Sequence, residues 1–210
     1  MQRVFRYGPG RTPDLHHDHS EDVMFVVEGL GTLDLGTASY ELTPGIGAFA
    51  PAGVAYAVEN PGPHDLVLVS VLAPPPDSPQ PPDPSEPLAA EPTHVASEEH
   101  EPLLDAGEGR SFRELIGPRH GCRNVTQFVG YIQAAGAPPH LHTYEEVIHI
   151  LGGEGTIEIE GTRTTVAPGT SILLPPGVPH RLEGTGPETL RLLGVISPAG
   201  SPASKEDLPA

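Results

Sequence analysis

The chain has 210 residues, 28 acidic against 11 basic side chains for a formal charge of −17, and 27 prolines with 25 glycines. That charge repels a polyanion and no basic stripe offsets it, so no nucleic-acid partner is expected. A single cysteine, Cys122, forms no intrachain disulfide and no thiolate zinc cluster, so any metal site has to be built from nitrogen and oxygen.

The opening "MQRVFRYGPG" lacks the apolar run of a signal peptide, and no uninterrupted apolar stretch approaches the roughly 20 residues that span a bilayer. The expectation is a soluble, cytoplasmic protein with no membrane partner. The prolines and glycines exclude long helices, and short β-rich runs between turn signals have strand length. In chain order these are "DVMFVVEG", "TLDLG", "VIHILGG", "GTIEIEG" and "TSILLPPG". The segment "PPPDSPQPPDPSEPLAAEP" is too rich in proline for sheet or helix and reads as an extended linker. A helical turn is expected around "EPLLDAG", and the tail "SPAGSPASKEDLPA" reads as disordered.

The two halves resemble each other. "EDVMFVVEGLGTLDL" (21–35) lies over "EEVIHILGGEGTIEI" (145–159), and "TPGIGAFAPAGVAYAVEN" (43–60) over "APGTSILLPPGVPHRLEG" (167–184), both at an offset of 124 residues without a gap. Duplication of one β-domain accounts for this. The chain therefore divides into a first domain (1–73), a Pro-rich linker (74–93), a second domain (94–198) and a disordered tail (199–210).

Chemistry concentrates in "APPHLHTYEEVIHILGGEG". Side chains two apart on a strand share a face, so His140 and His142 project together, and Glu146 rejoins that face after a short bend. A fourth donor comes from a neighbouring strand at His180, which follows the proline–glycine turn of "GTSILLPPGVPH". Imidazole suits first-row divalent ions, and one carboxylate lowers their charge to +1. A six-coordinate ion held this way keeps two positions open, unlike a closed structural site.

These motifs resemble the two signatures of the cupin superfamily. "HLHTYEEVIHILGG" follows histidine-any-histidine, three or four residues, glutamate, six residues, glycine; Gly169, Pro175, Gly177 and His180 follow the second signature. Gly184 stands where that signature often ends in asparagine. The resemblance covers roughly 124–184 well and 15–60 more weakly. It implies an all-β protein with two cupin-type β-barrel or jelly-roll domains joined by the Pro-rich linker, a bicupin. It also implies one divalent transition metal on His140, His142, Glu146 and His180, with Fe(II) preferred and Mn, Ni or Zn compatible. Cupins commonly pair, so a homodimer is compatible with it.

At the same offset the first half presents His16, Asp18, Asp22 and Tyr56, which keep one ligand of four by type. A register shift of one would offer His17, His19 and Asp22 instead. A phenol must lose a proton of pKa near 10 to ligate a divalent ion, which points to a structural first half. By strand parity Glu145 and His149 point away from Glu146, Glu145 into solvent and His149 into a contact between halves or subunits. On "NVTQFVGYIQ", either Thr126, Phe128, Gly130 and Ile132 or Gln127, Val129, Tyr131 and Gln133 line the interior. Arg113 and Arg181 are candidate partners for a substrate carboxylate, with surface roles as the alternative. Cys122 reads as a small structural residue.

The functional expectation is a mononuclear metal-dependent enzyme acting on a small polar organic molecule, with a dioxygenase preferred. A non-redox isomerase, lyase or decarboxylase using the metal as Lewis acid is the alternative, and a non-catalytic small-ligand-binding cupin is the other. No catalytic general base stands out.

Overall fold

The computed structural model describes the chain except residues 81, 82, 84–86, 134, 135 and 208–210. Parts of the expected linker and of the expected tail therefore lie outside the described residues. The first half contains β1 (Gln2–Tyr7), β2 (Gly10–Arg11), β3 (Glu21–Glu28), β4 (Gly31–Leu35), β5 (Ala38–Leu42), β6 (Ile46–Ala50), β7 (Tyr56–Asn60) and β8 (Leu66–Ala73). β9 (Val95–Ser97) follows the linker. The second half contains β10 (Leu104–Gly107), β11 (Arg110–Ile116), β12 (Thr126–Ile132), β13 (His140–Leu141), β14 (Glu145–Gly152), β15 (Gly155–Ile159), β16 (Thr162–Val166), β17 (Ser171–Leu174), β18 (His180–Gly184), β19 (Leu190–Ser197) and β20 (Glu206–Asp207).

Strand order repeats between the halves. β1-β8-β3-β6 in the first corresponds to β12-β19-β14-β17 in the second, and β2-β7-β4-β5 corresponds to β13-β18-β15-β16. Each half is a pair of antiparallel sheets, a jelly roll whose two sheets do not join into one closed barrel. β9 adds to the first half's sheet beside β6, although it lies beyond the linker, and β10 and β11 extend the second half's sheet beyond β12.

The alternation of side chains explains how the layers stack. On β4, Leu33 and Leu35 are buried while Thr32 and Asp34 are more exposed, the period-2 pattern of a sheet with one wet face. β8 is buried along its whole length because both of its faces are covered. Met24, Val26, Leu66 and Leu68 pack inside the first half. On the same strands Val23, Phe25, Val69 and Val71 point the other way and meet Leu115, Val129, Leu193 and Val195 of the second half. Phe128, Ile148, Ile150, Leu182 and Leu192 fill the interior of the second half.

Two local expectations are corrected. "EPLLDAG" carries no helical turn: Leu104–Gly107 is strand β10, because Leu104 and Asp105 pair with Phe112 and Ser111 across a Glu108–Gly109 turn whose residues have φ of 58° and 72°. Among the described residues the one helical element is a 3-10 turn at Pro118–His120. The tail, expected to be disordered, packs on the second half through residue 207: β20 pairs with β13, His140 opposite Asp207 and Leu141 opposite Glu206. The described linker residues carry neither strand nor helix, as expected, and no helix among the described residues is long and apolar enough to cross a membrane.

One buried carboxylate ties the halves together. Glu21, 5% exposed at the start of β3, accepts hydrogen bonds from the backbone N–H of Arg123 at 2.9 Å and of Asn124 at 2.8 Å, and Cys122 Sγ lies 3.4 Å away. Cys122 is fully buried in this contact, the structural role expected of it. Removing the acceptor strands the buried Asn124 donor and the half-buried Arg123 donor, a buried one costing about 1–3 kcal/mol when left unpaired. Glu21→Ala is therefore expected to lower unfolding stability by about 2–4 kcal/mol in urea titrations; a loss under about 0.5 kcal/mol would contradict this account.

Candidate metal centre

The four sequence-selected residues converge in the second half. His140 on β13 is the cross-strand partner of His180 on β18, so their side chains leave adjacent strands side by side. His142 shares the face of His140 because Leu141 occupies the other side. Glu146 lies on β14 opposite Leu174 of β17, and His142 Nε2 is 3.6 Å from Glu146 Oε2. Ring centroids are 4.6 Å apart for His140 and His180 and 4.9 Å for each of the pairs that include His142. One nitrogen from each ring lies within 4.8 Å of the other two, and all four residues are buried.

Backbone carbonyls fix the protonation of the rings. His140 Nδ1 lies 2.8 Å from Pro138 O, His142 Nδ1 2.8 Å from Ser204 O, and His180 Nδ1 2.9 Å from Val178 O. A carbonyl only accepts, so each Nδ1 carries the proton and each Nε2 is left with a lone pair. His142 also stacks on Tyr144 at 4.5 Å and 12° between planes, and Tyr144 Oη donates to the same Ser204 carbonyl at 2.9 Å. The tail thus holds the orientation of His142 toward His140 and His180.

Burial keeps these imidazoles neutral. Desolvation pushes His140 down to about 4 and His142 down to about 3, with further lowering by neighbouring imidazoles, and it lowers His180 as well. Burial raises Glu146 to about 7. Three convergent lone pairs and a carboxylate oxygen beside them repel one another unless a cation joins them. The donor set therefore fits a divalent transition metal.

The remaining sequence candidates separate cleanly. Glu145 is exposed, and His149 points away from the site, with Nδ1 2.9 Å from Ser171 Oγ. Ser171 in turn accepts from Gln2 Nε2 of the first half at 2.8 Å, so His149 sits in the contact between halves, as parity required. Of the two open sets on β12, Phe128, Gly130 and Ile132 line the cavity, while Val129 faces the other half and Tyr131 borders both that cavity and the cleft between the halves. Arg113 reaches the Glu101 carbonyl and lines a cleft between the halves, and Arg181 pairs with Glu183, so neither reaches the cavity beside the histidines. Sequence reasoning missed Arg110. It shares that cavity with Phe112 by the same two-residue parity, a signal hidden because "EPLLDAG" and the strand after it were not read as a hairpin.

The first half is offset by one residue from the gapless alignment. Leu15 bridges Tyr56 as His140 pairs with His180, and Gly53 N donates to His17 O as Gly177 N donates to His142 O. Asp22 faces Ala50 as Glu146 faces Leu174. The true counterparts are thus Leu15, His17, Asp22 and Tyr56; His16 and Asp18 are largely exposed. Asp22 accepts from Tyr56 Oη at 2.6 Å and from Ser70 Oγ, and it pairs with Arg3 at 2.8 Å. An arginine and two hydroxyls occupy the carboxylate that would serve a metal. Among the described residues, His140, His142 and His180 are the one group of three or more such donors gathered together.

This is the architecture of a double jelly roll with one cluster of three histidines beside a buried glutamate. The model of the cupin domain family matches residues 3–72 and again 127–196, and the chain belongs to that family as a two-domain member. The uncharacterized protein MJ1618 of Methanocaldococcus jannaschii is 31% identical over 103 residues, 48% of this chain and 80% of that protein. Among solved structures, AerE from Microcystis aeruginosa aligns with a TM-score of 0.73 at 16% identity, covering 93% of this chain and 86% of its own. A variant of salicylate 1,2-dioxygenase from Pseudoaminobacter salicylatoxidans gives 0.73 at 14%, covering 94% and 70%. Oxalate decarboxylase of Lactobacillus farciminis in its formate complex gives 0.75 at 13%, covering 98% and 78%. At these identities the structural likeness establishes the fold.

Two tests follow from the geometry. His140→Ala and His180→Ala are expected to abolish stoichiometric metal binding while far-ultraviolet circular dichroism keeps its β signature; a variant with full metal content would contradict the assignment. In the metal-free protein, His120 and His140 titrate at about 4 and His142 at about 3, against roughly 6.5 when unfolded. Between those values the unfolded chain binds protons that the folded chain does not, so stability falls as pH drops from about 6.5 to 4. Glu146, raised to about 7, opposes this with one site against three. Thermal midpoints of metal-free protein should decrease over that window; an increase would contradict the buried, neutral histidines.

Proposed function

We propose that the second half binds one divalent transition metal through His140, His142, His180 and Glu146, and that the protein is a metal-dependent enzyme acting on a small polar organic molecule. The observation that carries this reading is the convergence of three carbonyl-fixed imidazoles on one point beside a cavity of about 70 Å³. These four residues would hold the ion, and the cavity beside them would give a small molecule access to it. A bound metal there supplies Lewis-acid or dioxygen-binding chemistry.

The chain's own residues have separable tasks in this reading. The Pro138, Val178 and Ser204 carbonyls keep the three rings in the ligating tautomer. Phe112, Phe128, Ile148, Leu182 and Leu192 wall the cavity and exclude bulk water from its interior. Glu146 lowers the net charge of the centre, and its burial strengthens that attraction.

Within this class a dioxygenase is the preferred reaction, since a metal held by these four residues beside the cavity would leave room for a small substrate and for dioxygen. The likeness in fold to a salicylate dioxygenase supports it, and the likeness to an oxalate decarboxylase supports the alternative of non-redox or decarboxylating chemistry. Protein reconstituted with Fe(II) under argon, then mixed with small hydroxylated and carboxylated aromatic and aliphatic compounds in an oxygen electrode, tests the preference. Iron-dependent oxygen uptake coupled to substrate loss is expected. Turnover that persists unchanged under strict anaerobiosis would overturn the dioxygenase reading in favour of an isomerase, lyase or decarboxylase.

A further inference from the structure

The cavity beside the four donors has one cationic wall. Arg110 opens β11 opposite Ile132 of β12, and its side chain is only 14% exposed. It lines the cavity together with His140, His142, Glu146 and His180, and the rest of the lining is largely apolar.

The guanidinium is incompletely satisfied. Nη2 donates to Ala106 O at 3.1 Å and makes a long contact of 3.4 Å to Glu108 Oε2. Glu108 is 37% exposed and also pairs with Lys205, so it is shared with a second cation. Nε is buried and has no hydrogen-bond partner. A buried donor on a charged group costs stability unless something accepts from it. Arginine's planar fork suits a carboxylate, which accepts through two oxygens.

We propose that Arg110 is the anchor for a ligand carboxylate in this cavity, and that the substrate class is a small carboxylate anion. The proposal rests on the reading of the site as a metal-dependent small-molecule enzyme and narrows it. The anion's charge meets Arg110, its apolar body lies against Phe112, Phe128 and Leu182, and its remaining polar groups face the metal donors. A cavity of about 70 Å³ has room for roughly five waters, so the enclosed part of the ligand is small.

The test uses full-length protein loaded with Mn(II), with metal per chain measured first on every variant. Calorimetric titrations compare salicylate, benzoate and oxalate with the neutral analogues salicylamide, benzamide and oxamide. At least one anion is expected to bind at least tenfold more tightly than its amide. Arg110→Met and Arg110→Gln should erase that preference with metal content unchanged, and Arg110→Lys should restore part of it. Arg113→Met, which lies outside the cavity, serves as the control and should leave binding as it was. Equal binding of anion and amide, no binding of any of the three anions, or anion affinity within twofold of the parent in Arg110→Met would overturn the anchor. A parent protein that takes up no metal fails the metal reading instead, and titrating the anions against that metal-free protein and its Arg110→Met variant still decides the anchor by the same comparison.

Discussion

Three imidazoles of the second half obey one constraint: each gives its Nδ1 proton to a backbone carbonyl, and each therefore turns a bare Nε2 toward the same buried point. Two of those carbonyls lie two residues before the ring they hold, at Pro138 and Val178, so strand geometry sets them locally. The third belongs to Ser204, more than sixty residues away, and makes the tail part of the centre. Such partners fix the tautomer and raise ligand basicity. Burial disfavours the protonated rings, and each imidazole that did gain a proton would repel the next, which is why the histidines are driven so far below ordinary basicity.

The same fold solves the same position differently in the first half. Asp22 holds the register of Glu146, but Arg3, Tyr56 and Ser70 complete its surroundings. A guanidinium tethered to the chain supplies the positive charge, Tyr56 stands in place of His180, and Leu15 in place of His140. What the first half contributes is an extensive apolar surface against the second, with Glu21 accepting from two backbone amides at the junction. Duplication has therefore left one half with the donor chemistry and the other with the packing.

Much of this was legible in the sequence because it depends on short-range parity. His140, His142, Glu146 and His180 were found from two-residue alternation and one proline–glycine turn, and the outward placement of His149 from the same rule. The halves were matched by patterns of apolar residues that recur at a fixed spacing. Three features were not legible, for distinct reasons. One additional residue between His17 and Asp22 shifts the first-half loop against a gapless alignment, and only the ladder with Tyr56 exposes it. The tail is rich in serine, proline and alanine, and its order comes from long-range bonds to His142, Tyr144 and β13 rather than from local propensity. Arg110 sits on a hairpin whose turn uses Glu108 and Gly109 at positive φ, a turn that composition alone does not single out.

The central claim is that one half of a duplicated chain carries a single metal centre. Metal content per chain, measured by plasma mass spectrometry on untagged protein purified without chelating resin and then reconstituted, tests it most directly. The account requires one divalent transition metal per chain. Two per chain would contradict the reading of Asp22, Arg3 and Tyr56 as a substitute for metal, and none after reconstitution would contradict the centre itself.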